Sequence, residues 1–453
     1  MNIRKLIIED VRCFAGRQEF SIRPLTFLVG ENSTGKSTVL GCLQTLSIFA
    51  RSRAFGSRLD FNIEPYQMGA FADIVKRANP KKRSFVLGFE FTAGKKGERI
   101  QYLLTLTEKE KGSEPVVQEQ RLIFPNSEVV FVGEKQEDEG SDEHGTSRLG
   151  FEVLDFFEVL DFSEKNENKF FRVKMPAPFN DMSAFEILDY ADVIVRRSQK
   201  SSSSMEEQFH LWLESLRNLF ERRWHDPYGS DSYSFAPIRS KLQRTYNPLK
   251  EVTSPEGSDI PMVLMNMFRA DKKAWEELKR GLTKFGAASG LFADIDVRRL
   301  GKSVGDPFQL QIKVKGPKVN MIDVGYGVNQ LLPILVRVFN ENSSMTFLMQ
   351  QPEVHLHPRG QAELSSLLID LVKRRSHKFL VETHSDYMID RARIEIMNRR
   401  ITPEDVSLIY LEPAGNSVRV YNIEFDEQAN LIGAPSSYRE FFLKESDRLL
   451  DLD

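Results

Sequence analysis

Residues Gly30-Glu31-Asn32-Ser33-Thr34-Gly35-Lys36-Ser37 fit the pattern G-x-x-x-x-G-K-[ST]. The chemistry open to such a run is capture of an anion. Its glycines let successive backbone N–H groups, here from Asn32 to Gly35, curl around a phosphate at a helix N-terminus. Lys36 adds a compact charge for the β- and γ-phosphates, Ser37 offers a hydroxyl to Mg²⁺, and Thr38 completes the loop. The flanks agree: Leu25-Thr26-Phe27-Leu28-Val29 reads as a buried parallel strand, and Ser37 to Leu43 opens a helix. An accidental Gly/Ser turn would require both flanks to be accidental too. The expected ligand is ATP with Mg²⁺.

A second block of chemistry lies in the last third. Met345 to Met349 is a buried-strand pattern that ends in Gln350-Gln351-Pro352-Glu353-Val354-His355-Leu356-His357-Pro358. Phe379-Leu380-Val381 is another, ending in Glu382-Thr383-His384-Ser385-Asp386. Both polar clusters emerge at strand C-termini, where parallel α/β sheets place their ligands. Upstream, the turn Asp323 to Gln330 leads into an apolar helix, Leu331 to Phe339; Gly325 and Gly327 with that helix N-terminus suit a further phosphate contact. His355 and His357 alternate around Leu356 ahead of a proline and read as loop-shaping residues, since a metal would need ligands the sequence does not offer nearby.

The elements that must position these groups follow from periodicity. Ile3 to Ile8 and Glu19 to Ile22 read as strands ahead of Leu25–Val29, and the alternating segments Ser84–Phe91 and Ile100–Leu106 as an antiparallel meander. Residues Gly133 to Arg148 are acidic and lack apolar side chains apart from flanking positions, which reads as a solvated loop. The hexad Phe-Glu-Val-Leu-Asp-Phe occurs twice in tandem from Phe151 to Phe162, too few copies for a solenoid. Phe209, Trp212, Leu213, Leu216 and Phe220 form a helical stripe after the turn Ser201–Ser204, and no apolar heptad persists long enough for a coiled coil. Val406–Leu411 and Val418–Ile423 read as strands around Pro413-Ala414-Gly415-Asn416. The 453 residues, 41% hydrophobic and with net charge −3, give no global attraction for nucleic acid or membrane. Lys76 to Arg83 is basic, most simply a solvated face and alternatively a DNA contact. Two cysteines and the lack of a long apolar run fit a reducing cytoplasm and no membrane span.

The order of phosphate loop, Gly325-Tyr326-Gly327-Val328-Asn329-Gln330, Phe347–Pro358 and Glu382-Thr383-His384-Ser385 resembles the ABC-type ATPase heads of the SMC, DNA-repair and Old-nuclease-like group, particularly the Septu- or PARIS-like ATPases of bacterial anti-phage defence. The resemblance implies an α/β ABC-type P-loop head with a mixed sheet and an antiparallel β meander, over residues 1–183 and 301–453, with a helical insertion at 184–300. It implies a homodimer or higher homo-oligomer in which Gly325, Gly327 and Asn329 of one chain complete the ATP site of another. His384 would sense the γ-phosphate, and Arg12 and Gln67 would be nucleotide contacts. Gln350 and Gln351 stand where such heads carry two acidic residues that manage Mg²⁺ and water. An amide cannot act as a base, so hydrolysis is expected to be slow, with Ser37 and Gln350 facing the metal and Glu353 a stand-in acid. The 69 residues after His384 fit a strand pair rather than a nuclease domain, so a separate effector, such as a nuclease, is expected, with nucleic acid engaged through it. A DNA-repair-type ATPase and a catalytically silent assembly protein are the alternatives.

Overall fold

The computed structural model describes residues 2–51, 59–76, 84–93, 98–123 apart from 109 and 111, 127–133, 154–161, 169–174, 231–237, 241–247 and 254–440, with 444, 447 and 448. The chain divides into two compact units, one of residues 1–21, 38–229 and 414–418, the other of 22–37, 230–413 and 419–453. The division falls within the first turn of helix α1 (Lys36–Arg51).

The first unit is built on one eight-stranded sheet. Its strands are β1 (Asn2–Glu9), β2 (Arg17–Ser21), β4 (Ser84–Ala93), β5 (Glu98–Glu108), β6 (Pro115–Ile123), β7 (Ser127–Gly133), β8 (Leu154–Asp161) and β9 (Lys169–Lys174). They lie in the order β2-β1-β4-β5-β6-β7-β8-β9, and all the pairings are antiparallel. Alternation produces the meander: Phe85, Leu87, Phe89 and Phe91 of β4 are all buried, as are Tyr102, Leu104 and Leu106 of β5. Residues Leu154–Asp161 of the tandem hexad form β8, and the rest of the repeat lies outside the described residues. Helix α1 buries Val39, Leu40, Leu43 and Leu46, and the short helix α2 (Phe71–Ile74) closes the loop that follows.

The second unit carries a seven-stranded sheet of β3 (Leu25–Gly30), β10 (Asp231–Phe235), β14 (Met345–Gln350), β15 (Lys378–Glu382), β16 (Val406–Ala414), β17 (Ser417–Phe425) and β18 (Leu431–Ile432). Their order is β10-β14-β15-β3-β16-β17-β18, parallel from β10 to β16. All six residues of β14 are buried, the mark of a parallel strand covered on both faces. Phe347 stacks on Phe379 of the next strand with ring centroids 5.4 Å apart and on Phe235 at 5.9 Å. Around this sheet pack α3 (Ile260–Ala270), α4 (Lys272–Ser289), α5 (Tyr326–Asn340), α6 (Pro358–Arg375) and α7 (Asp386–Met397). A small antiparallel sheet of β11 (Asp294–Arg299), β12 (Phe308–Lys313) and β13 (Val319–Asn320) precedes α5. Arg337 of α5 pairs with the buried Asp259 carboxylate and lies over the Tyr233 ring at 4.8 Å, tying α5 to the start of α3 and to β10.

The expected mixed α/β fold with a parallel-stranded sheet and an antiparallel meander is present. Within residues 184–300, β10 joins the main sheet as its edge strand beside β14, and α3 and α4 are helical. The stripe from Phe209 to Phe220, the Ser201–Ser204 turn, the acidic loop Gly133–Arg148 beyond its first residue and all of the basic run after Lys76 lie outside the described residues. Among the described residues no helix is long and apolar enough to cross a membrane.

Candidate nucleotide-binding site

Three parallel strands deliver the chemistry to one sheet edge. β15 lies between β3 and β14, with Glu382 level with Leu28 on one side and with Gln350 on the other. The phosphate loop therefore leaves β3 beside the end of β15, and the glutamine pair leaves β14 one strand further out, about 4.8 Å away.

The loop itself is shaped by backbone that other residues resist. Gly30 has φ 143°, and a Cβ there would lie 2.3 Å from the Leu411 carbonyl oxygen of β16. Ser33 (φ 65°) and Gly35 (φ 91°) take the left-handed backbone that a tight phosphate-binding loop uses. Thr34 Oγ1 donates to Glu31 O at 2.8 Å and fixes the turn. Lys36, 3% exposed, donates to the carbonyls of Gly30 at 3.0 Å and Glu31 at 2.7 Å. An ammonium held only by neutral carbonyls keeps its charge uncompensated by them, as a group that meets an anion requires.

Ser37 Oγ donates to Glu382 Oε2 at 2.8 Å. Gln350 lies in register with Glu382 on the adjacent strand. Burial pushes the Glu382 carboxyl above its ordinary value, opposed by Ser37, Lys36 and Gln350. Gln350 is itself buried and electrically neutral, so it steadies a charge rather than supplying one. Gln351 leaves the strand with φ 42°, a left-handed backbone that an unbranched polar residue adopts at some cost, while its N–H still donates to Glu382 O at 2.8 Å.

Glu353 turns inward. It is 6% exposed, and its Oε1 accepts the His384 backbone N–H at 2.9 Å. Burial raises its carboxyl too, and the neighbouring Glu382 charge adds to the rise. The loop bearing His384 is braced on its other side: Ser385 N donates to Thr383 Oγ1 at 2.9 Å, and Ser385 Oγ caps α7 through Met388 N and donates to Gln361 Oε1 at 2.6 Å. His384 is left exposed on this frame, its pKa lowered by partial burial and by the Lys36 charge, so it is neutral and able to accept or donate.

Gly325 is the N-cap residue of α5, whose first residue, Tyr326, is 62% exposed and packs on the His355 ring at 5.6 Å. A Cβ on Gly327 would lie 2.7 Å from the His355 carbonyl oxygen, so glycine lets α5 start against the loop after β14. Asn329 sits half-buried on the first turn, its Oδ1 without a partner among the described residues. His355 itself has φ 69°, and His357 Nδ1 accepts Arg359 N at 3.3 Å to cap α6; both histidines shape the loop. Among the described residues no group of three or more His, Cys, Asp or Glu could hold a metal.

In the first unit, Arg12 is fastened at three points, to Thr38 Oγ1 at 3.3 Å, Met68 O at 2.9 Å and Asp73 O at 3.3 Å. Gln67, exposed, is on the loop beside Met68; α1 holds that loop through Gln44 Nε2 to Glu64 O at 2.9 Å and Thr45 Oγ1 to Asp60 O at 3.2 Å.

The arrangement thus gathers Lys36, Ser37, Gln350, Glu353 and His384, and it adds Glu382, a carboxylate that motif reading passes over. The missed signal was the register of two parallel strands. Residues 1–389 match the family described as AAA ATPase domain, and the chain belongs to that family. Similar solved structures include an SMC head bound to the C-winged helix domain of ScpA (12% identity over 94% of this chain and 99% of that one, TM-score 0.42). The SMC head domain from Thermotoga maritima is another (12%, 94% and 100%, TM-score 0.40). These scores carry no inference of their own. Among curated proteins none matches.

Two measurements test the site. Lys36→Ala removes the buried ammonium; a charge-assisted bond is worth about 1.5–3 kcal/mol, so ATP affinity by calorimetry should fall at least about tenfold. Glu353→Gln keeps an acceptor for His384 N and removes a buried charge. A carboxyl whose pKa is raised in the fold gives stability below its ordinary value and loses it as pH rises through the raised one. Denaturant midpoints should therefore shift in favour of the glutamine variant as pH is taken from mildly acidic to mildly alkaline.

Proposed function

We propose that this ATPase-family chain binds ATP with Mg²⁺ at Gly30–Thr38, hydrolyses it slowly, and uses the bound nucleotide to join two copies of itself. The observation that carries the reading is the single edge holding Lys36 over the loop carbonyls, Ser37 on Glu382, and an exposed neutral His384. Ser37 and Glu382 offer the hard oxygen donors that suit Mg²⁺, which needs only one or two carboxylates beside substrate phosphates. When bound, the ion would neutralise charge developing on the transferred phosphoryl group. Lys36 holds the phosphates, and His384 reports the γ-phosphate to a loop braced by Glu353 and Gln361.

Slow turnover follows from the residues beyond β14. Gln351 cannot take a proton from water, and Glu353 already receives the His384 N–H from within the fold. Dimerisation is supported by Gly325, Gly327 and Asn329, which set a helix N-terminus beside the exposed Tyr326. Such a terminus is an anion site in want of an anion, and a partner's γ-phosphate would fill it. The finer reading, control of a separate effector such as a nuclease in anti-phage defence, rests on the motif order and its resemblance to Septu- and PARIS-like ATPases. Phage plating on cells carrying the whole locus tests it: protection that survives Lys36→Ala counts against it. Marked stimulation of turnover by DNA would favour the repair-type alternative.

Two further outcomes are expected. Gln351→Glu places a base where an amide stands and should raise turnover, within the roughly 10²–10⁴-fold that such a base contributes, read by phosphate release. Mixing Lys36→Ala chains with Asn329→Arg chains should give mixed dimers with one intact composite site and more nucleotide-dependent activity than either variant alone. Equal activity in demonstrated mixed dimers would remove the shared-site reading.

A further inference from the structure

Glu382 is the carboxylate that touches the phosphate loop. In P-loop NTPases Mg²⁺ is held between the loop Ser/Thr and an acidic residue of a second strand of the sheet. Here the strand that motif order assigns to that task, β14, ends in the neutral Gln350. The strand beside it, β15, ends in Glu382, and it is Glu382 that receives the Ser37 hydroxyl at 2.8 Å. β15 is also the direct neighbour of β3, whereas β14 is one strand removed.

We propose that the acidic function has moved one strand inward, so that Glu382 rather than any residue of β14 is the carboxylate that faces the nucleotide's divalent cation. This rests on the nucleotide reading above.

Three observations fit together under it. The first is that Gln350 and Glu382 are paired in register on adjacent parallel strands, both buried. An acid at 350 would set two buried carboxylates against each other, which raises the cost of ionising either. The amide at 350 is then the complement of the acid at 382 and not simply a lost acid. The second is that Lys36, whose charge acts on Glu382 from nearby, gives its hydrogen bonds to the Gly30 and Glu31 carbonyls, so the ammonium does not cap the carboxylate directly. The third is that Glu382 is 6% exposed while Ser37, its partner, is exposed. A buried carboxylate at the floor of an open loop, oriented by a serine and set beside an amide, suits an ion that keeps several waters and takes its remaining oxygens from phosphate.

The test is the ratio of ATP affinities with Mg²⁺ and with EDTA, measured by calorimetry on the full chain. In the unaltered protein Mg²⁺ should tighten ATP binding. Glu382→Gln keeps an acceptor for Ser37 and removes the charge; the ratio should shrink at least about tenfold, the lower bound for disturbing a metal's surroundings. ATP affinity in EDTA should stay the same or improve, which also shows that the variant is folded. Gln350→Ala should change the ratio far less. If Glu382→Gln does not fold, Glu382→Asp, which keeps the charge and withdraws it by one methylene, should still lower the ratio. A ratio preserved in Glu382→Gln or in Glu382→Asp, a larger loss in Gln350→Ala, or ATP binding by the unaltered chain that ignores Mg²⁺ overturns the proposal and leaves the nucleotide reading standing. No ATP binding by the unaltered chain under either condition overturns both.

Discussion

The structure turns on the side-by-side alignment of three parallel strand ends. β15 and β14 finish level with one another and β3 runs two residues further, and each hands its next residues to the same end of the sheet: the phosphate loop, the Glu382–Ser385 turn and the Gln350–Pro358 loop. That alignment is held by a core that has little freedom to slip. Phe235, Phe347 and Phe379 stack strand to strand, and a shift of one residue would turn these rings to the opposite face. Ladder hydrogen bonds continue past the strands themselves, with Gln351 N on Glu382 O and Thr383 N on Leu28 O. The functional loops therefore start from fixed points, and short polar bonds suffice to shape the rest.

Backbone strain marks where that shaping is needed. Gln351 and His355 both hold positive φ within five residues of each other, and Ser33 does so in the phosphate loop. Each conformation carries a cost of order 1 kcal/mol that the surroundings must offset. For Gln351 the offset is the continued ladder bond; for His355 the ring contact with Tyr326 and the close approach of Gly327 to its carbonyl hold the turn. The helix that begins at Tyr326 is in this way packed against the loop that follows β14, so the two cannot be repositioned independently.

The phosphate loop, the parallel strands and the meander were legible because each leaves a local mark: a motif with fixed spacing, an unbroken apolar run, an alternation. Glu382 was not legible in the same way. In the chain it is one letter of Val381-Glu382-Thr383-His384-Ser385, 345 residues from Ser37, and only the sheet order puts it against that hydroxyl. Gln350 was therefore read as an acid lost, when its place in the sheet makes it the neighbour of an acid. Glu353 was read for its charge, but its geometry is that of an acceptor for a backbone N–H. The place of β10 also had no local signature, since Asp231-Ser232-Tyr233-Ser234-Phe235 is half polar and becomes a sheet strand through its parallel pairing with β14. What sequence periodicity cannot carry is the partner across the sheet.

The Glu353–His384 contact gives the site its mechanical character. A buried carboxylate on the loop after β14 accepts the backbone N–H of His384. Moving the His384 loop away would leave that carboxylate without its N–H donor in a buried setting, a cost that makes intermediate positions unfavourable. Moving both together preserves the bond but displaces the residues that pack on Gly327 and Tyr326, and so the start of α5. The His384 loop, the loop after β14 and the exposed helix terminus are thus tied together by a single charge and one glycine.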